Sequence, residues 1–155
     1  MAALLAVIGV GLFVLRTPEP TRTAFALAES VCGDRSQRPH ELGGHVAEQV
    51  VVEIEDDEHG WSKQRLSREE LSAQLEQLDL AWPDCQLQLE AWSVQSPAPG
   101  SEWLDGQLVL SQSQVNDLHA EARSLHAEFR VDGEQRRLER LRVGAAERRL
   151  PEARP

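Results

Sequence analysis

Three residues in the second half of the chain carry side chains suited to proton chemistry at alternating positions. They are His119, Glu121 and Arg123, in the run Asp117-Leu-His-Ala-Glu-Ala-Arg123. A histidine titrates near neutrality, a carboxylate can orient its ring, and a guanidinium can hold an anionic group. Suppose a strand starts at Leu118 and continues through Leu125, Ala127, Phe129 and Val131. Period-two counting then puts the polar trio on the face of those apolar residues, as the mouth of a pocket. If residues 116–124 form a loop, or a bulge shifts the phase, the row lies in water. Both readings stand at the level of sequence.

The remaining candidates offer less. His40 and His45 are five residues apart across Gly43-Gly44, which is not the one-face spacing of a helical zinc site. His59 sits in the acidic turn Asp56-Asp57-Glu58-His59-Gly60 and reads as solvated. No Cys-x-x-Cys, Gly-rich phosphate loop or Gly-x-Ser-x-Gly elbow occurs, so neither a metal site nor a cofactor is expected. Trp61, Trp82, Trp92 and Trp103 read as packing residues, because no basic patch accompanies them. Cys32 and Cys85 form a disulfide candidate. In an oxidising compartment, closing so long a loop contributes about 4 kcal/mol in the chain-entropy model. Unpaired core thiols are equally common at this count.

The elements that must position these residues follow from periodicity. Residues 24–31 read as a helix with Phe25, Ala28 and Cys32 on one side, then a break from Gly33 to Pro39. Residues 42–49 offer a turn or two of helix, interrupted at Gly43-Gly44. Val50, Val52 and Ile54 alternate with Val51, Glu53 and Glu55 as a half-buried strand. Ser67-Arg-Glu-Glu70 is a capping box opening a helix with Leu71, Leu75, Leu78 and Trp82 in one stripe, and Pro83 ends it. Strand patterns then follow at Leu87–Ala91, Leu104–Leu110, Leu125–Val131 and 136–143, with a loop at 96–101. Asp132-Gly133 is the dipeptide preferred in a type I′ hairpin. Helices first and long strands after give an α+β class, with helices packed on a curved antiparallel sheet.

Charge and the N-terminus bound the setting. A net charge of −10 argues against a nucleic-acid partner, which needs clustered Lys and Arg. Residues 41–105 hold 15 acidic side chains against Lys63, Arg65 and Arg68, a pattern read as a solvated acidic face. Residues 1–15 carry no charge or polar side chain and would make a helix of about 22 Å, short of a full span. They are expected to be a signal anchor. A linker at 16–21, a domain at 22–145 and a basic tail at 146–155 complete the organisation. Placement is expected in a bacterial inner membrane with the domain in the periplasm. Arg16 and Arg22 pull toward a cytoplasm-facing alternative, and Ala24-Phe-Ala26 keeps cleavage and secretion open.

In the order of its parts, from about residue 22 to 145, the chain resembles the nuclear transport factor two-like superfamily, which includes ketosteroid-isomerase-like domains. The parts are the opening helix, the early strand Glu48–Glu55, the helix capped at Ser67, and the late hairpin Phe129–Val143. The resemblance implies a cone-like fold whose open end can hold a small ligand, in a family of enzymes and non-catalytic modules alike. An isomerase site built on Tyr and a protonated Asp is absent here, because the chain has no tyrosine. The reading is a membrane-tethered binding or interaction module, with a small-molecule ligand or a protein partner. A homodimer through the broad sheet face is a further expectation. The alternative is a small lyase- or isomerase-like enzyme using His119 and Glu121.

Overall fold

The computed structural model describes residues 19–33, 35–81, 83–114 and 117–148; the side chains of residues 19, 113, 114, 117–119 and 148 lie outside that description. The expected anchor at 1–15, Trp82 and most of the basic tail therefore fall outside the described residues.

Helix α1, Glu19–Cys32, begins inside the segment expected to be a linker, with Pro20 in its first turn, where a missing N–H costs no helical bond. Its packed stripe is Ala24, Leu27, Ala28 and Val31, and Phe25 is 44% exposed. This corrects the stripe read from Phe25, Ala28 and Cys32: the helix is rotated so that small residues face the sheet. A single 3-10 turn, Arg35–Gln37, leads to α2, Arg38–His45. That helix runs through Gly43-Gly44, where an interruption was expected. Arg38 and Leu42 are both buried and anchor it, which offsets a glycine cost of about 1 kcal/mol each.

Strand β1, Val46–Asp56, turns into β2, Gly60–Ser67. Helix α3, Arg68–Ala81, follows directly. The Ser67 hydroxyl accepts from the Glu70 N–H at 3.2 Å while the Glu70 carboxylate accepts from the Ser67 N–H at 2.8 Å, the reciprocal capping box. Leu71 and Leu75 pack on the core. The chain then runs back and forth through β3 (Cys85–Ala98), β4 (Ser101–Gln114), β5 (Asp117–Asp132) and β6 (Gln135–Val143), with a short β7 (Glu147–Arg148) beside β5. The loop expected at 96–101 shrinks to Pro99-Gly100, with Gly100 at φ 78°. Strand β3 is bulged between Glu90 and Ser93, where Ala91 takes φ 47°.

The last hairpin pairs Asp132 with Gln135, so its central residues are Gly133 and Glu134 and not Asp132-Gly133. Only Gly133, at φ 61°, is in the left-handed region, which matches the type II′ pattern of glycine at the first central position.

The strand order is β2-β1-β6-β5-β4-β3, a curved open sheet with the helices on its inner face. Every neighbouring pair is antiparallel except β1 and β6, which run parallel. The curved sheet expected to be antiparallel thus includes one parallel pair. Strand β1 gives its far edge to β2, so the returning chain docks on its other edge only at β6, after a long crossover. Val50, Val52, Leu66, Leu104, Ala127, Phe129 and Leu138 form the inner core, closed by Val46 and Leu42.

Candidate functional site

Between α1 and the concave sheet lies a cavity of about 120 Å³. Ala24, Leu27, Ala28 and Val31 of α1 form its roof. Its floor comes from Leu87 and Leu89 of β3, Leu108 of β4, Leu125, Ala127 and Phe129 of β5, and Leu138 and Leu141 of β6. Among the described residues every lining side chain is hydrocarbon. Two alanines in the roof, at i and i+4, explain the gap: they bring α1 close but leave the space larger side chains would fill. A dry apolar cavity near 150 Å³ admits a benzene-sized guest, so this one fits a small ring or a short branched chain.

The polar row continues from this floor. Register pairs Leu125 with Gly106, Arg123 with Leu108 and Glu121 with Leu110. Directly opposed residues share a face, so Arg123 and Glu121 follow Leu125 along the inner side of β5. Arg123 Nη1 donates to the Gly144 carbonyl at 3.1 Å, and Nη2 lies 3.7 Å from Glu121 Oε2. Both side chains are half-buried. His119 pairs with Gln112 through the backbone, and its side chain lies outside the described residues. The structure thus brings Glu121 and Arg123 together at the end of the apolar floor.

Other histidines form local pairs. His45 Nε2 is 3.0 Å from Glu41, one turn earlier in α2. Asp56 Oδ1 accepts from the Glu58 N–H at 2.7 Å and the His59 N–H at 3.3 Å. The Glu58 bond foremost holds the Asp56 carboxyl below its usual range. Among the described residues no three His, Cys, Asp or Glu side chains converge as metal ligands do.

Sequence reasoning did not single out His126, which lies between Leu125 and Ala127 and so on the opposite face of β5. On that outer face its Nδ1 lies 2.7 Å from Asp105 and its Nε2 3.3 Å from Glu128, with Trp103 packed edge-on at 5.5 Å. The missing signal was cross-strand: Asp105 and His126 are directly opposed, and only the β4–β5 register reveals it. Nearby, Arg142 stacks 4.1 Å over Trp61.

Cys32 and Cys85 are joined in a disulfide with Cα atoms 5.2 Å apart. It links the end of α1 to the start of β3.

No protein-family model matches the chain, and no curated protein is similar to it in sequence. Solved structures are similar in shape. A Kribbella flavida protein superposes with a TM-score of 0.70 at 9% identity, covering 83% of this chain and 89% of its own. A nuclear transport factor two-like protein with a cystatin-like fold from Novosphingobium aromaticivorans gives 0.66 at 14%, covering 97% and 92%. A putative scytalone dehydratase from the same organism gives 0.64 at 10%, covering 92% and 89%. The chain has the α+β fold of the nuclear transport factor two-like superfamily. Identities this low speak to fold alone, and function has to be argued from the site.

Proposed function

We propose that the chain is a binding module that takes a small apolar ligand in the cavity beneath α1. The supporting observation is the cavity itself: about 120 Å³ between α1 and the sheet, lined among the described residues by hydrocarbon side chains. Arg123 and Glu121, which follow Leu125 on the same face of β5, would meet a ligand's polar end in this reading. Titration of benzene followed by methyl NMR tests the reading. Saturable shifts at Leu27, Leu89 and Leu125 are expected, and their absence overturns it.

Tethering belongs to the same proposal. Among the described residues no helix is long and apolar enough to cross a membrane, and residues 1–15 lie outside them. Their uncharged apolar run supports an anchor, and the Cys32–Cys85 disulfide supports an oxidising compartment such as the periplasm for the domain, against the pull of Arg16 and Arg22 toward the cytoplasm. Cell fractionation and protease treatment of spheroplasts decide it. Full-length chain in the soluble cytoplasm refutes the anchor, and protection from protease reverses its orientation.

A lyase- or isomerase-like activity is the second reading, favoured by the inner-face position of Glu121 and by the putative dehydratase among the similar structures. Turnover that disappears in both His119→Ala and Glu121→Gln would support it. Turnover indifferent to both would remove it.

A further inference from the structure

The Cys32–Cys85 bond joins the two walls of the cavity. Cys32 ends α1 one residue after Val31, which lines the roof; Cys85 opens β3 two residues before Leu87, which lines the floor. The same disulfide borders an open groove of about 430 Å³, shared with Arg35, Pro83 and Asp84. Cys85 is buried and Cys32 is more open. Arg35 Nη2 lies 4.0 Å from Cys85 Sγ, and its guanidinium is fixed there by a bond to the Pro83 carbonyl at 3.0 Å and by Asp79 at 3.1 Å.

We propose that this disulfide is a thiol–disulfide exchange site for a protein dithiol, and that its reduction releases the cavity roof. The second half rests on the ligand-cavity reading above. A partner thiolate attacks Cys32 Sγ through the groove; the sulfur–sulfur bond breaks, and its electron pair leaves on Cys85 Sγ. A cation beside the leaving sulfur favours the thiolate and speeds departure. The partner's second thiolate then attacks the partner sulfur of the mixed disulfide. Cys32 leaves as a thiolate and takes up a proton, and the partner departs as a disulfide, two electrons poorer.

The mechanical consequence follows from what else holds α1. Arg38 donates to the Ser30 and Val31 carbonyls at 2.9 and 3.2 Å, which ties the helix end to α2. The covalent link from α1 to β3 is the disulfide. The roof meets the floor through Ala24, Leu27, Ala28 and Val31, and Ala24 and Leu27 also pack on the inner core, so the disulfide end of the helix is the part that reduction frees.

The experiment compares oxidised, dithiothreitol-reduced and reoxidised protein, following benzene binding by NMR and amide exchange residue by residue. Reduction is expected to weaken benzene binding at least tenfold and to accelerate exchange across residues 24–32, with reoxidation restoring both. Arg35→Gln should slow reduction several-fold, and Arg35→Lys should recover most of the rate. Equal binding in both redox states overturns the release of the roof. Reduction rates indifferent to Arg35→Gln overturn the exchange site. Exchange accelerated throughout the chain overturns the proposal as well, since the bond would then hold the whole fold. If the oxidised protein binds no benzene, the cavity reading fails instead, and exchange over 24–32 and the thiol kinetics still decide this one.

Discussion

Arg38 and Asp79 meet as a two-pronged pair, with Nη1 and Nη2 each 2.8 Å from a carboxylate oxygen. Arg38 is 4% exposed and its guanidinium also donates to the last turn of α1, so one side chain joins the ends of all three helices. Its hydrogen bonds hold the Asp79 carboxyl below the usual 3.8. A folded value below the unfolded one means stability that is complete above the unfolded value and lost as pH falls through the folded one. Unfolding free energy should therefore drop in the wild type as pH is lowered below about 4, and Asp79→Asn should flatten that part of the profile. At pH 7, Asp79→Ala leaves the buried Arg38 without its carboxylate and should cost about 3 kcal/mol in urea denaturation.

Ser67→Ala removes the hydroxyl that accepts the Glu70 N–H at the start of α3. The expected loss is about 1 kcal/mol, and Ser67→Asp, which keeps an acceptor there, should restore most of it. Thermal unfolding of the three proteins side by side measures this.

Ala28→Leu places a larger side chain in the roof. Because the space is already there, stability should fall by less than about 1 kcal/mol, while benzene binding disappears. A variant that binds as before would show that the ligand sits elsewhere.

Arg123→Gln tests the mouth. Benzoate should bind the wild type more tightly than benzene does, its carboxylate pairing with the guanidinium of Arg123, two residues from Leu125 on the same face. The variant should lose that margin and keep benzene affinity. Losing the bond to the Gly144 carbonyl should cost about 1 kcal/mol of stability.

What the sequence made legible was local. The box at Ser67, the apolar alternation of β1 and β5, and the phase of Glu121 and Arg123 with Leu125 all depend on neighbours a few residues away. Strand β2 escaped notice because it is an edge: Gly60 to Arg65 are all exposed, so no alternation marks it. The parallel meeting of β1 with β6 brings Val52 beside Leu141, a pairing no short-range pattern encodes. The Gly133-Glu134 turn moved by one residue because the pairing of Asp132 with Gln135, not the dipeptide preference, sets where the chain reverses. His126 depended on a partner from another strand. Joining Cys32 to Cys85 likewise depends on where α1 and β3 lie together, which spacing alone does not contain.

The kink at Ala91 has a bearing on how the molecule lives among copies of itself. Strand β3 is 14 residues long and ends the sheet, so its outer side would offer a second chain a long row of backbone groups to zip onto. An incoming strand cannot stay in step across it. The bulge between Glu90 and Ser93 shifts the register partway along, and Pro97 lacks the N–H that the next rung would need. At the opposite end, β2 presents Lys63 and Arg65, which a second copy's β2 would meet with the same charge. Both rims of the sheet are therefore poor templates for fibre growth, and the long strands that shape the cavity can coexist with a chain that does not polymerise through its edges.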